Sequence, residues 1–133
     1  MAQPGKILLL DDEDFILDTV SQIISQLGYT VECAATGAQA LALFHKARKA
    51  GAPFDAAILD LTIPGGMGGK ETMQKILAVQ PDFVGIASSG YAEDPVITAP
   101  EQHGFKASFY KPTHPREFGP LLSRVLTGRI QPE

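Results

Sequence analysis

The chain is poor in the features that announce several large classes of protein. It has a single cysteine, Cys33, so no intramolecular disulfide and no Cys-x-x-Cys redox or metal pair can form. The simplest expectation for Cys33 is a small buried side chain in a reducing compartment. No apolar run approaches the ~20 residues needed to cross a bilayer, and the opening "MAQPGK" lacks the apolar stretch of a secretory signal. Basic residues are neither in excess nor clustered: 11 Lys and Arg stand against 15 Asp and Glu, a formal net charge of −4. That balance argues against nucleic-acid binding, which needs a cationic surface to release phosphate counterions. The three histidines, His45, His103 and His114, show no metal-ligand spacing and read as solvated surface positions. Internal repeats, linkers and low-complexity tracts are missing too. What remains is 133 residues with 44% hydrophobic content, the size of one compact domain and apolar enough to fill its own core. These features predict one soluble, cytoplasmic domain over residues 1–133, with a core at about 5–128 and no membrane contact.

Five short strand-like runs are present: "KILLL" (6–10), "YTVECA" (29–34), "FDAAIL" (54–59), "FVGIAS" (83–88) and "KASFY" (106–110). The first, third and fourth are almost continuously apolar, the pattern of parallel strands covered on both faces. Helical patterns lie between them. Residues 13–28 place Ile16, Val20, Ile23, Ile24 and Leu27 on one stripe and end at Gly28, a C-cap residue. Residues 36–51 offer Thr36 as N-cap, Leu41 and Phe44 facing inward, and Lys46, Arg48 and Lys49 near the negative end of the helix dipole. A third helix is expected over Lys70 to Val79. The fourth segment carries Pro100 in mid-course, and the fifth carries Gly119 and Pro120. Proline inside a helix costs about 3 kcal/mol or more, so a short or kinked fourth helix is predicted, and a fifth that restarts at Pro120, where proline suits the first helical position. Repeated β-α alternation of this kind marks a doubly wound α/β domain.

In open parallel sheets, ligands bind beyond the carboxyl ends of the strands. Strand one ends in Asp11-Asp12-Glu13, strand three in Asp60, strand four in Ser88-Ser89-Gly90 and strand five in Lys111-Pro112. Strand two ends in uncharged Ala34-Ala35-Thr36, which fits a place at the periphery of the sheet. A carboxylate that closes a buried strand, as Asp60 does, is costly unless a cation meets it. Carboxylates brought together repel, so one stays protonated or a cation bridges them. Oxygen ligands without His or Cys favour a hard ion, and a few carboxylates with open positions suit Mg²⁺ better than Ca²⁺. Lys111 is a compact positive charge for a phosphoryl oxygen, and Ser89 adds a hydroxyl donor. A carboxylate nucleophile, a divalent ion, a lysine and a hydroxyl together describe phosphoryl transfer onto an aspartate.

This arrangement resembles the receiver domain of two-component signalling, along the whole chain. The likeness is carried by "LLLDDED", by "ILDLTIPGGMGG" with its proline four residues after the aspartate, by "ASSGY" and by "FYKP". The resemblance implies a flavodoxin-like fold, a single doubly wound five-stranded parallel sheet of order 2-1-3-4-5. It implies Asp60 as phospho-acceptor, with Mg²⁺ held by Asp11, Asp12, Asp60 and the backbone carbonyl of Thr62. Ser89 and Lys111 would grip the phosphoryl oxygens, and the Lys111–Pro112 bond would be cis. The partner implied is a sensor histidine kinase or a histidine phosphotransfer domain, docking on the exposed side of the first helix at Phe15, Asp18 and Gln22. A homodimer through the face of helix four, strand five and helix five is common in such domains. The wording of "DLTIPGGMGGKE" and "SSGYAEDPV" looks most like receivers attached to hybrid sensor histidine kinases, in which case the parent would be a kinase. The domain itself is expected to be no separate enzyme, assisting only its own phosphorylation and a slow self-dephosphorylation.

Two sequence details bear on the response to phosphorylation. Such domains relay through an aromatic residue three positions before the lysine, and here that position is Ser108. Signalling is therefore expected through the loop at Tyr91 and the proline-weakened fourth helix. Thr62 and Tyr91, two residues beyond Asp60 and Ser89, occupy positions that tune phosphoryl lifetime, and neither is an acid or amide that would orient water. Other classes compete less well. "PGGMGGKE" nearly matches the phosphate-binding loop of NTPases, but Pro64 stands at the first glycine and Glu71 replaces the Ser or Thr that would bind Mg²⁺. A Mg²⁺-dependent phosphohydrolase with an aspartyl-phosphate intermediate shares the chemistry but needs a cap or substrate domain for which no residues are left over. A receiver-like scaffold without phosphorylation would not need every core position that is present.

Overall fold

The five apolar runs pair side by side into one parallel sheet, β1 (Lys6–Leu10), β2 (Thr30–Ala34), β3 (Ala56–Asp60), β4 (Val84–Ser89) and β5 (Ala107–Tyr110). Their order is β2-β1-β3-β4-β5, as expected, with β2 and β5 at the edges. The structure, a computed structural model, describes residues 5–111 and 113–127. Helices α1 (Asp14–Gln26), α2 (Gly37–Lys49), α3 (Gly69–Val79), α4 (Pro95–Thr98) and α5 (Phe118–Thr127) connect the strands.

Strand alternation divides the core in two. Leu8, Leu10, Ala57, Leu59 and Ala87 point into one layer with Phe44 of α2 and Met73 and Ile76 of α3. Ile7, Leu9, Ile58, Ile86 and Phe109 point into the other with Ile24 of α1 and Phe118, Leu122 and Leu126 of α5. Every residue of β3 and β4 is buried, because helices cover both faces, so those strands read as unbroken apolar runs.

The sequence expectations need correction at several positions. Cys33 is exposed, since an edge strand is covered only in part. Its thiol still lies above the ordinary value, chiefly from partial burial, with a Ser21 hydrogen bond lowering it and the Asp18 charge raising it. The inward stripe of α2 is Ala40, Phe44 and Ala47, while Leu41 is only half-buried. Leu27 caps α1 and is exposed, and Gly28 turns the chain in the left-handed region just after it, at φ 103°. The fourth helix is as short as predicted: four residues, capped by the Asp94 side chain, then a 3-10 turn at Pro100–His103. Helix α5 begins at Phe118 after a 3-10 turn at Pro115–Glu117. Pro120 therefore lies inside its first turn and does not start it; an absent N–H there breaks no helical hydrogen bond. The Lys111–Pro112 bond falls outside the described residues.

Candidate functional site

Asp11 follows β1 directly, and its N–H bonds the Ala34 carbonyl at 3.1 Å, so the β1–β2 ladder extends to it. By alternation it shares a face with Ile7 and Leu9, the side covered by α1 and α5. Asp60, the last residue of β3, shares that face through Ala56 and Ile58. Lys111 stands just past β5, where its N–H bonds the Ser89 carbonyl at 2.7 Å. Parity thus places two carboxylates and one amine on the same side of one sheet end. Asp11 and Asp60 are 2% and 3% exposed.

The Lys111 Nζ meets Asp11 Oδ2 at 2.9 Å and Asp60 Oδ2 at 3.5 Å. The remaining oxygens are held by the backbone: Asp11 Oδ1 accepts from Glu13 N–H at 3.0 Å and Asp60 Oδ1 from Thr62 N–H at 3.2 Å. Asp12 is exposed, and carboxylate oxygens of Asp11, Asp12 and Asp60 lie within 4.8 Å of one another. Three carboxylates against one ammonium leave negative charge uncompensated. Burial pushes the Asp60 carboxyl up to about 6; the Thr62 N–H and Lys111 pull it back and Asp11 adds to the rise. Burial pulls the Lys111 amine down, but the hydrogen bond to Asp11 and the charges of Asp60 and Asp11 outweigh it and leave it raised. An all-oxygen donor set carrying surplus negative charge fits a hard divalent cation.

The glycines after Asp60 serve different ends: Gly65 the turn, Gly68 and Gly69 close packing. Gly65 takes φ 74° in the turn. A Cβ on Gly69 would stand 2.7 Å from the Asp60 carbonyl oxygen and 2.9 Å from that of Leu59, and one on Gly68 would strike the Leu61 carbonyl. Helix α3 therefore starts in contact with the end of β3, which fixes the backbone that carries Asp60.

The hydroxyls of Ser88 and Ser89 lie on opposite faces of β4. Ser89 is fully buried, and its Oγ accepts from Tyr91 N–H at 3.0 Å. Ser88 is the direct neighbour of Asp60 in the β3–β4 register and lines the same cleft, of about 690 Å³, as Asp11, Asp12, Asp60, Thr62 and Lys111. Alternation counted across the sheet from Asp60 would have found Ser88, but only once the register was known. Ser108 donates to the Ile97 carbonyl at 2.8 Å, tying β5 to α4. Phe15 and Tyr91, 76% and 65% exposed, stand at the cleft. Asp18 and Gln22 bond each other at 3.1 Å on the exposed side of α1, one and two turns beyond Phe15.

Residues 7–122 match the family model of the response regulator receiver domain. The chain belongs to that family. This receiver domain is 31% identical over 107 residues to the sporulation initiation phosphotransferase F of Bacillus subtilis (strain 168), covering 80% of its own length and 82% of the relative's. It spans only 42% of the response regulator receiver protein Anae109_2439 of Anaeromyxobacter sp. (strain Fw109-5), so some relatives are much longer. Among solved structures, a CheY-like receiver domain protein from Methanospirillum hungatei JF-1 superposes with a TM-score of 0.81 at 31% identity, covering 93% of this chain and 94% of that one. The receiver domain of sensor histidine kinase PA1611 from Pseudomonas aeruginosa PAO1 has the same fold, with a TM-score of 0.78 at 24% identity and coverage of 92% and 97%. That protein carries a magnesium ion in its active-site cleft.

Proposed function

We propose that the domain accepts a phosphoryl group on Asp60 from the phosphohistidine of a sensor kinase or histidine phosphotransfer domain, and signals by a change of conformation. The observation that carries this is the three-carboxylate cluster with the Lys111 amine 2.9 Å from Asp11 and 3.5 Å from Asp60. Asp60 attacks phosphorus, the bond from phosphorus to the donor nitrogen breaks, and the imidazole is released. Lys111 exchanges Asp60 for a phosphoryl oxygen and holds it through a charge-assisted hydrogen bond. Asp11, Asp12, Asp60 and the Thr62 carbonyl are the residues that would hold Mg²⁺. When bound it supplies neutralisation of charge on the transferred group. Ser89, now held by Tyr91 N–H, reaches the phosphoryl group only if the β4–α4 loop moves, and that movement is the signal. The exposed Phe15, Asp18 and Gln22 form the docking surface, and the face of α4, β5 and α5 offers a homodimer contact. Thr62 and Tyr91 provide neither an acid nor an amide to orient hydrolytic water, so the phosphoryl group is long-lived. The domain acts in the cytoplasm, and none of the described helices is long and apolar enough to cross a membrane.

The test is intact-protein mass after incubation with acetyl phosphate, with and without Mg²⁺, beside Asp60→Asn. One added phosphate that requires Mg²⁺ and is absent from the variant is the expected result. No adduct, followed by no transfer from a phosphorylated histidine kinase, would leave the domain a binding scaffold.

A further inference from the structure

The site already described contains a hydroxyl that the receiver-domain resemblance does not assign. Ser88 and Ser89 are consecutive residues of β4, so their side chains leave the strand toward opposite faces. Ser89 sits fully buried with its oxygen engaged by the Tyr91 amide. Ser88 pairs directly with Asp60 and shares its face with Val84 and Ile86, the layer of α1 and α5. Directly paired residues on adjacent parallel strands project side by side, close enough for one ligand to touch both. Ser88 is 7% exposed and opens on the cleft that holds Asp60 and Lys111; its hydroxyl bonds none of the described residues and is reached from the cleft, since no buried side-chain oxygen among them is left without a partner. A hydroxyl open to the cleft and not engaged by the protein is free to donate to a group that enters there.

We propose that Ser88 is a phosphoryl-binding residue: its hydroxyl donates to an oxygen of the phosphoryl group as that group arrives on Asp60, while Ser89 serves the later movement of the loop. The proposal rests on the phosphoryl-accepting function argued above. Two neighbouring serines then divide two tasks. Ser88 needs no rearrangement to reach the group, because register alone sets it beside Asp60. Lys111 approaches from β5 on the same face, so amine and hydroxyl take different oxygens of the group. Only a hydrogen bond is formed by Ser88; no bond to its oxygen is made or broken.

The experiment uses the 133-residue chain as wild type, Ser88→Ala and Ser89→Ala, with Ser88→Thr and Ser88→Val as a pair of equal volume that differ in the hydroxyl. Three quantities are measured: Mg²⁺ affinity, affinity for the phosphoryl mimic beryllofluoride at saturating Mg²⁺, and the initial rate of adduct formation from acetyl phosphate. Loss of one hydrogen bond to a charged acceptor is worth about tenfold. Ser88→Ala and Ser88→Val are therefore expected to weaken beryllofluoride and slow adduct formation about tenfold, with Mg²⁺ affinity unchanged and Ser88→Thr near wild type. Equal rates and affinities in Ser88→Thr and Ser88→Val overturn the proposal, as does a fall in Mg²⁺ affinity that tracks the other two losses. A wild type that takes neither phosphate nor beryllofluoride overturns the phosphoryl-accepting function itself, and the role of Ser88 with it.

Discussion

Burial raises the Asp60 carboxyl from 3.8 to about 6, so between those values the folded chain holds a proton that the unfolded chain has lost. Stability then falls as pH rises through that window and stays reduced above it. A shift of this size is at most about 3 kcal/mol, and water in the mouth of the cleft screens part of it, leaving about 1–2 kcal/mol. Asn at this position keeps an acceptor for the Thr62 amide but cannot ionise. In chelator-treated protein, Asp60→Asn is expected to exceed wild type by about that amount at pH 7.5 and by nothing at pH 4, read by denaturant unfolding. A gap of the same size at both pH values would show that ionisation is not its source. Single residues such as Asp11, Asp60 and Lys111 were legible in the sequence because a charge that closes an apolar run is too costly to stand there without a partner. Ser88 was not, since a strand end misplaced by one residue reverses which of two serines faces the site. Cys33 was misjudged although its strand was read as peripheral, because an edge strand leaves part of its side chains uncovered.

At the scale of elements, the weak point is the segment between β4 and β5. Proline at 95 and 100 restricts it to a four-residue α-helix and a 3-10 turn, and within those two elements only Val96 is buried. The Ser108 hydroxyl holds the segment to β5 through the Ile97 carbonyl. A phenyl ring at position 108 would have no hydroxyl to make that bond. Elements with few buried contacts open at low free energy and are the ones a modest stimulus can move. Amide hydrogen exchange is therefore expected to be faster over 89–104 than over Gly37–Lys49, to change there on phosphorylation of Asp60, and to rise further in Ser108→Ala. Exchange in 89–104 that ignores phosphorylation would place the response elsewhere. This weakness was readable from Pro100 alone. The start of α5 was not, because proline is tolerated anywhere in a first turn, and the sequence does not fix which position it takes.

Across the whole molecule, the proposed phosphoryl site and the proposed docking surface share one end of the sheet. The acidic cleft lies at the carboxyl ends of β1, β3, β4 and β5, and α1 rises beside it with Phe15 turned outward. The βαβ alternation made the fold class legible, yet the strand order came from family likeness, since apolar runs do not state their neighbours. The function of α1's outer side was no more legible, because a single exposed aromatic is ordinary on a protein surface. What distinguishes Phe15 is position: it lines the cleft that holds Asp60 without contacting the carboxylates in any hydrogen bond or ion pair. A small phosphodonor needs only the cleft, whereas a phosphohistidine arrives on a protein that must dock. Truncation of a central aromatic anchor typically costs about 1–2 kcal/mol or more, roughly tenfold in affinity. Phe15→Ala is expected to slow transfer from a phosphorylated histidine phosphotransfer domain about tenfold while leaving the acetyl phosphate rate within about twofold. Equal losses with both donors would make Phe15 a support of the site, and no loss with either would move the docking surface off α1.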